Sequence, residues 1–385
     1  MSVMMVHGSW FNTGQSAPPI LKTNEYVQNF HMSRAAVFLF FIVSGYVIGL
    51  TNRHAYSGTL ATEYLRRRFL RIVPIYYFAV IAGWMAYRNV SGWTVLANAL
   101  FLQNPAWHIQ ILPGNIPLWS LHNEVVYYLG FLLLWKLQLR VLPFVLVLLA
   151  LATGDWFFGG PLSFLGGWAT GDLFWITGLL LAWKKAPTES HRAVPILGYA
   201  LLAFATTQLW PGVVLLRGLG FPYAGESGIW LADLFLLPVT TSLFCAVMNL
   251  EFPGIKWARW ISLAIPLAMV LLLFKMGRLW ENAPWTLGGI ATIAALVVMP
   301  FDQPRWGEMI FGKFRPLGKI SYGLYLFHVP CVALISALYP WSGGWPNYIG
   351  GVLLWLTVTV LVAWVFETQI QAALLSFYKR RIAAR

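Results

Sequence analysis

Apolar segments of about 20 residues recur along the whole sequence, and this feature limits the fold more than any other. A helix that rises about 1.5 Å per residue needs about 20 apolar residues to cross the hydrocarbon layer of a membrane. Helices satisfy their own backbone hydrogen bonds, so they are the expected spanning element. Runs such as 131–135 and 264–274 are continuously apolar and lack the alternation of a membrane β-strand.

The predicted spans cover almost the entire chain. They lie at residues 34–50, 72–88, 119–136, 141–158, 164–183, 193–210, 229–249, 260–274, 284–300, 320–338 and 348–372. The spans at 141–158 and 260–274 are the weakest, and one tight pair of spans can be re-entrant. With 59% hydrophobic and 10% charged residues, the chain is unlike a soluble domain. We predict an all-α, polytopic bundle of about ten to twelve transmembrane helices, forming one integral-membrane domain over residues 1–385.

The net charge of +13 is divided unequally between alternate loops. Most of the 26 Lys and Arg residues fall on one side, here called the basic side, in the segments 53–71, 136–140, 184–192, 256–259, 305–319 and 379–385. The positive-inside rule places this side, and with it the C-terminus, in the cytoplasm. This distribution also removes the need to explain the charge by nucleic-acid binding.

The start of the chain is unusual for this topology. The first predicted span, 34–50, runs from outside to inside, so residues 1–33 lie outside without a helix to carry them across. We therefore expect that a preceding helix, ending near residues 4–7, is missing from this chain. Cys245 and Cys331, the two cysteines, both fall in predicted spans. They provide neither a disulfide framework nor a CxxC motif, and we expect no metal site.

An arginine-rich run stands at the start of the second predicted span. Arg67 and Arg71 are spaced i, i+4 and share a helix face, with Arg68 beside them. Guanidinium groups in this arrangement can bind phosphates bidentately, which would suit a cytosolic, nucleotide-based cofactor. The alternative is a simple topology anchor beside anionic lipid.

A second polar group stands at the predicted outer start of the third span. Glu124 follows Trp119 and Ser120, at or within the membrane boundary. A carboxylate there can orient a histidine, accept a hydroxyl proton or bind sugar hydroxyls, while the indole offers a stacking face. The alternative is an interfacial helix cap, with Ser120 at the N-cap and Glu124 in the first turn.

A third group lies in the tenth predicted span. Ser321, Tyr325 and His328 are spaced i, i+4 and i+7, so they form a polar stripe that should face the bundle interior. His328 can equally be a buried histidine hydrogen-bonded for packing. His7 alone is a weak signal, because histidines near termini are usually solvated. Glu367, late in the last span, is a carboxylate that needs a partner.

Taken in order, these groups resemble the motifs of the acyltransferase-3 family of membrane enzymes, which O-acylate carbohydrates. The similarity covers nearly the whole chain. Its motifs are His7, the Phe-Phe-Ile-Val-Ser-Gly-Tyr segment at 40–46, the arginine run at 67–76, the Trp-Ser-Leu-x-x-Glu run at 119–124, the Ser-Tyr-x-x-Tyr-Leu-x-His run at 321–328, and Glu367. The family also carries Arg or Lys eleven positions before its histidine, a position that here precedes Met1.

The resemblance implies transfer of an acyl group, most simply acetyl, from cytosolic acyl-coenzyme A to a carbohydrate hydroxyl outside a bacterial inner membrane. The acceptor would be lipopolysaccharide or another cell-envelope or exported polysaccharide, and membrane lipids would be the other partner. In this scheme His7 and Glu124 are catalytic. The resemblance assigns the coenzyme A phosphates to Arg67, Arg68 and Arg71, and the substrate to Trp119, Ser120, Ser321, Tyr325 and His328.

Two other classes of membrane protein remain open from the sequence. A transporter or flippase of a lipid-linked sugar would often show inverted repeats, and we find none. A purely structural or sensory subunit would have little use for Glu124 and His328 within the bilayer.

Overall fold

The computed structural model describes residues 33–103, 109–158, 164–184, 194–220, 229–302, 309, 312–338 and 345–383. Throughout these ranges the regular structure is helical, and they contain no β-strand. Every predicted span coincides with a helix or with consecutive helical segments. The predicted all-α class is therefore confirmed.

The described ranges contain sixteen helices in chain order. They are α1 (Ser33–Thr51), α2 (Gly58–Ala86), α3 (Gly92–Ala99), α4 (Leu118–Leu137), α5 (Val141–Phe158), α6 (Phe164–Trp183), α7 (Ile196–Leu209), α8 (Pro211–Gly218), α9 (Ile229–Asp233), α10 (Leu237–Met248), α11 (Ile255–Lys275), α12 (Ala283–Val298), α13 (Arg315–Gly318), α14 (Ser321–Leu338), α15 (Trp345–Trp364) and α16 (Gln371–Ala383). Within the described residues, 3₁₀ turns stand at Pro113–Asn115, Leu234–Leu236 and Gly312–Phe314, and a π-helical turn at Val365–Ile370 joins α15 to α16.

Eight helical stretches in the described ranges are long and apolar enough to cross a membrane. They are Ser33–Thr51, Gly58–Ala86, Leu165–Trp183, Ile196–Gly218, Trp230–Met248, Ile255–Lys275, Ser321–Leu338 and Ile349–Phe377. Helix α11 is longer than the weak span at 260–274 suggested. Helix α4 is outside this set because polar residues at 122–124 lower its hydropathy. The chain is thus a multi-pass helical membrane protein.

Local sequence explains where several helix boundaries differ from the predicted spans. Helix α2 begins at Gly58, well before residue 72, because the Ser57 side chain accepts a hydrogen bond from the Leu60 N–H and caps it. The span at 229–249 is divided between α9 and α10, since Pro238 lacks the N–H that a continuous helix would need.

Helices α1 and α6 cross at glycines, as is common in membrane bundles. A Cβ atom on Gly45 would lie 1.8 Å from the Trp175 carbonyl oxygen, and one on Gly178 would lie 1.9 Å from the Ile42 carbonyl oxygen. The backbones therefore touch without intervening side chains. This contact places Ser44 of α1 beside Trp175 of α6, at the centre of the bundle.

The segment before α4 folds back into the bundle. The Asn115 side-chain amide donates to two backbone carbonyls, at 3.2 Å to Ala79 in α2 and at 2.9 Å to Leu326 in α14. Leu112 and Leu118 are fully buried on either side of it. Helix α4 therefore begins inside the bundle.

Candidate functional site

Glu124 lies in the bundle interior and is held by hydroxyl groups. Its side chain is buried, and the Ser44 hydroxyl donates to its Oε1 at 2.8 Å. The Tyr128 hydroxyl donates to the same oxygen, and lies 3.1 Å from the Ser44 hydroxyl. Trp175 Nε1 donates to the Ser44 oxygen at 3.3 Å. We call Glu124, Ser44, Tyr128 and Trp175 the Glu124 cluster.

The start of α4 does not have the predicted side-chain cap with Ser120 at the N-cap. The N-cap residue is Pro117, and no side chain caps the helix. Ser120 is buried, and its hydroxyl contacts Pro117 O at 3.2 Å and the Tyr325 hydroxyl at 2.6 Å. Glu124, expected at or within the membrane boundary, is buried in the protein, because residues 109–117 fold inward before α4 begins.

Arg68 connects the basic side of the bundle to the Glu124 cluster. Its guanidinium carbon lies 5.6 Å from the ring centroid of Tyr128, within the range of a cation–π contact. Its Nε atom is buried and makes no hydrogen bond with the described residues. The Tyr64 hydroxyl donates to the Tyr128 carbonyl oxygen at 3.1 Å and holds the same turn of α4. One arginine of the predicted phosphate clamp therefore points into the protein.

Arg71 is the partner that Glu367 was expected to need. The two side chains form an ion pair at 3.0 Å, in which the carboxylate is buried and the guanidinium half-exposed. The other carboxylate oxygen of Glu367 accepts the Gly323 N–H at 2.9 Å, in the first turn of α14. Gln371 donates to the Arg71 carbonyl oxygen at 3.1 Å. The π-helical turn, a feature often found at functional sites, thus fastens α2 to α14.

Arg67 points in a third direction, toward solvent on the basic side. It forms an exposed ion pair with Glu63 at 3.0 Å, and its Nη2 lies 3.4 Å from Asn52 Oδ1. Arg67 and Arg71 each have a carboxylate partner, and an incoming phosphate would have to share or displace it. Phosphate binding by these arginines stays a prediction.

The predicted polar stripe lines a cavity of about 520 Å³ between α1, α4, α14 and α15. Ser120, Ser321, Tyr325 and His328 supply polar groups to walls that are otherwise mostly apolar. Tyr325 also donates to Pro117 O at 2.9 Å, and His328 Nδ1 lies 2.7 Å from the Tyr325 carbonyl oxygen. Tyr325 and His328 face the interior as predicted, whereas Ser321 is exposed at the basic end of α14.

The remaining predicted residues do not join these groups. Trp119 is partly buried against the core and does not line this cavity. His7 lies outside the described residues. Sequence reasoning also missed Tyr128, which its i+4 spacing from Glu124 could have indicated. Ser44 belongs to the 40–46 motif of the family resemblance, but no spacing rule could have paired it with Glu124, which lies 80 residues away.

Together these features define a class: a multi-pass helical membrane protein with a buried carboxylate cluster that reaches an arginine on its basic side. The sequence matches the family described as an acyltransferase domain, acyltransferase-3, over residues 1–368. The chain belongs to this family, and the resemblance seen in its motifs is confirmed. No curated protein and no solved structure shows significant similarity to it. Family membership favours an acyltransferase over a transporter.

Proposed function

We propose that the protein transfers an acyl group, most simply acetyl, from cytosolic acyl-coenzyme A to a hydroxyl of a cell-envelope or exported carbohydrate such as lipopolysaccharide. It would do so in a bacterial inner membrane, with the basic side and the C-terminus in the cytoplasm. The observation that carries the proposal is the connection from Arg68 through Tyr128 to Glu124. These contacts join a cation, which an anionic donor would need, to a buried carboxylate and so support the proposal.

The donor would bind from the basic side. Arg67, Arg68 and Arg71 lie close together on α2 near its basic end. Phosphates of a soluble donor would reach the half-exposed Arg67 and Arg71 first. Charge-assisted hydrogen bonds from guanidinium to phosphate are among the strong ones. The Nε of Arg68 is buried and makes no hydrogen bond with the described residues, so Arg68 would serve the donor chiefly through its charge.

The chemical step needs a base for the acceptor hydroxyl. The hydroxyl oxygen would attack the thioester carbonyl carbon, the carbon–sulfur bond would break, and the hydroxyl proton would pass to the base while the thiolate leaves. His7 would act as this base, or would carry the acyl group between the two half-reactions. Glu124 would orient that imidazole or the acceptor, since Ser44 and Tyr128 fix the position of its carboxylate.

The acceptor would be recognised next to these groups. Ser120, Tyr325 and His328 offer hydroxyls and an imidazole beside apolar walls, which is the usual composition of a small-molecule site. Trp119 would add a stacking face and Ser321 a hydroxyl at the basic end.

The test is transfer of labelled acetyl from acetyl-coenzyme A to host carbohydrate in membranes that contain the full chain. A panel of succinyl and longer acyl donors defines the acyl preference. We expect transfer by the wild type and its loss in Arg68→Ala and in His7→Ala at equal expression. Arg278→Ala is the matched control, because its ion pair with Glu281 is exposed and far from the site in the sequence. Transfer that is indifferent to Arg68 and His7, or absent with every donor, would contradict the proposal.

A further inference from the structure

A second cavity lies on the basic side, where the ends of α1, α4 and α6 meet. Its volume is about 310 Å³, at the lower end of the range for small-molecule pockets. We call it the aromatic pocket, and its principal lining residues are Arg53, His54, Tyr56, Phe131, Trp135 and Trp183. None of these residues takes part in the acyl-transfer site described above.

The aromatic walls of this pocket are held in place by their neighbours. Trp135 Nε1 donates to the His54 carbonyl oxygen at 2.9 Å. The Tyr56 ring meets the Trp135 ring edge-on at 5.6 Å, and the Phe131 ring stacks on Trp135 at 5.6 Å. Trp183, at the end of α6, is substantially exposed. The pocket thus offers preformed aromatic surfaces to a planar ligand.

One cation, Arg53, lines the pocket, and a second, Arg67, lies near it. Arg53 is fixed by a hydrogen bond of 2.8 Å from its Nη2 to the Ala182 carbonyl oxygen. The residue before it, Asn52, lies 3.4 Å from Nη2 of Arg67. Tyr64, on the same helix as Arg67, has its ring 6.4 Å from that of Trp135. The aromatic pocket therefore borders the arginine run.

The pocket and the Glu124 cluster are aligned along α4. Trp135 and Glu124 are 11 residues apart (135 − 124), which is about three helical turns and about 16 Å at about 1.5 Å per residue. At this spacing the two side chains leave nearly the same face of the helix. An extended pantetheine arm can cover such a distance.

We propose that the aromatic pocket binds the purine base at the nucleotide end of the acyl-coenzyme A donor, with Arg53 and Arg67 on the phosphates. The inference rests on the proposed function, because it assumes a nucleotide-bearing donor. A purine base is planar and stacks on aromatic side chains, and the attached phosphates require cations. This combination of aromatic walls and guanidinium groups fits both parts of such a ligand.

A binding experiment tests the pocket without knowledge of the acceptor. The probe is adenosine 3′,5′-bisphosphate, a fragment of coenzyme A, added to the purified full chain in lipid nanodiscs. We expect Trp135→Leu to weaken binding about tenfold or more, as for the loss of one base–aromatic stack. Tyr56→Leu should weaken it less, and Trp135→Phe should retain most of it. Trp257→Leu is the matched control, because Trp257 is exposed on α11 and lies outside the pocket.

A kinetic experiment separates this inference from the proposed function. Arg53→Ala should raise KM for acetyl-coenzyme A severalfold and leave KM for acetyl-pantetheine, which lacks the nucleotide, unchanged. Lys256→Ala, at a cation on the same side that does not line the pocket, should change neither. If acetyl transfer occurs and Arg53→Ala has no effect on either donor, the pocket assignment is overturned while the function stands.

The remaining outcomes are also decisive. Absence of bisphosphate binding, or binding that is indifferent to Trp135 and Tyr56, overturns the assignment. If the Trp135 and Tyr56 variants bind anionic phospholipid more weakly but bind the bisphosphate as the wild type does, the pocket is a lipid site and the assignment is likewise overturned. If the bisphosphate binds as expected and no donor supports transfer, the pocket stands as a nucleotide site and the proposed function fails.

Discussion

Glu124 and Glu367 are both buried carboxylates of a membrane protein, yet their hydrogen-bond and ion-pair partners differ. Glu367 pairs with Arg71 and also accepts the Gly323 N–H, so it joins three helical elements. Glu124 accepts hydrogen bonds from two hydroxyls and makes no ion pair with the described residues. A carboxylate held by a cation and a backbone group is suited to fastening helices. One held by hydroxyls alone is better placed to exchange a proton or to bind an acceptor.

The largest expected effect is on catalysis, at Glu124. Glu124→Gln keeps the shape of the side chain and an oxygen that accepts from Ser44 and Tyr128, but it removes the charge. We expect acetyl transfer to fall by up to about 10⁴-fold, as when the carboxylate that orients a catalytic histidine becomes an amide, with little change in thermal stability. The measurement is transfer per folded protein. Glu281→Gln, at an exposed ion pair, is the control and should retain full activity.

The second effect is on stability, at Glu367. Glu367→Ala leaves the Gly323 N–H and the Arg71 guanidinium without their carboxylate, so we expect the free energy of unfolding to fall by about 1–3 kcal/mol. Glu367→Gln should lose less, because its amide oxygen can still accept from Gly323. Thermal unfolding in detergent measures both. If Glu367→Ala loses no more stability than Glu281→Ala, Glu367 does not fasten the helices and is not distinguished from Glu124 in this way.

A smaller effect is expected at Tyr128. Tyr128→Phe removes one of the two hydroxyls that hold Glu124, and a hydrogen bond to a charged group is worth about 1.5 kcal/mol or more. We expect kcat for transfer to fall about tenfold, with KM for the donor less affected. Tyr64→Phe is a nearby control, since the Tyr64 hydroxyl bonds only a backbone carbonyl of the same turn. Equal losses in both variants would indicate a packing role.

The smallest effect is expected at the cavity beside the cluster. Tyr325→Phe removes a hydroxyl that contacts Ser120 and Pro117, so acceptor binding should weaken a few-fold while kcat stays near the wild-type value. Initial rates over a range of acceptor concentrations measure this. Tyr87→Phe, at an exposed tyrosine outside the cavity, should behave as the wild type. A change confined to kcat would instead place Tyr325 in the chemical step.

The sequence predicted the helices well and the site only in part, for physical reasons. Apolar length is a local property, so the spans could be located one by one. The polar stripe of α14 could also be found, because Tyr325 and His328 are three residues apart on one helix. The inward fold of residues 109–117 could not, since it depends on Asn115 bonding carbonyls of two distant helices. Ser44 likewise reaches Glu124 only through the α1–α6 glycine contact.

In the proposed function the donor enters from the basic side and the acyl group reaches a carbohydrate. The most direct test adds labelled acetyl-coenzyme A to membrane vesicles of both orientations that contain the full chain. Vesicles with the basic side outward should label carbohydrate, and Arg68→Ala should abolish the labelling. Vesicles of the opposite orientation should not label carbohydrate. Equal labelling in both orientations would contradict entry of the donor from the basic side. Labelling that survives Arg68→Ala would contradict the proposed role of Arg68.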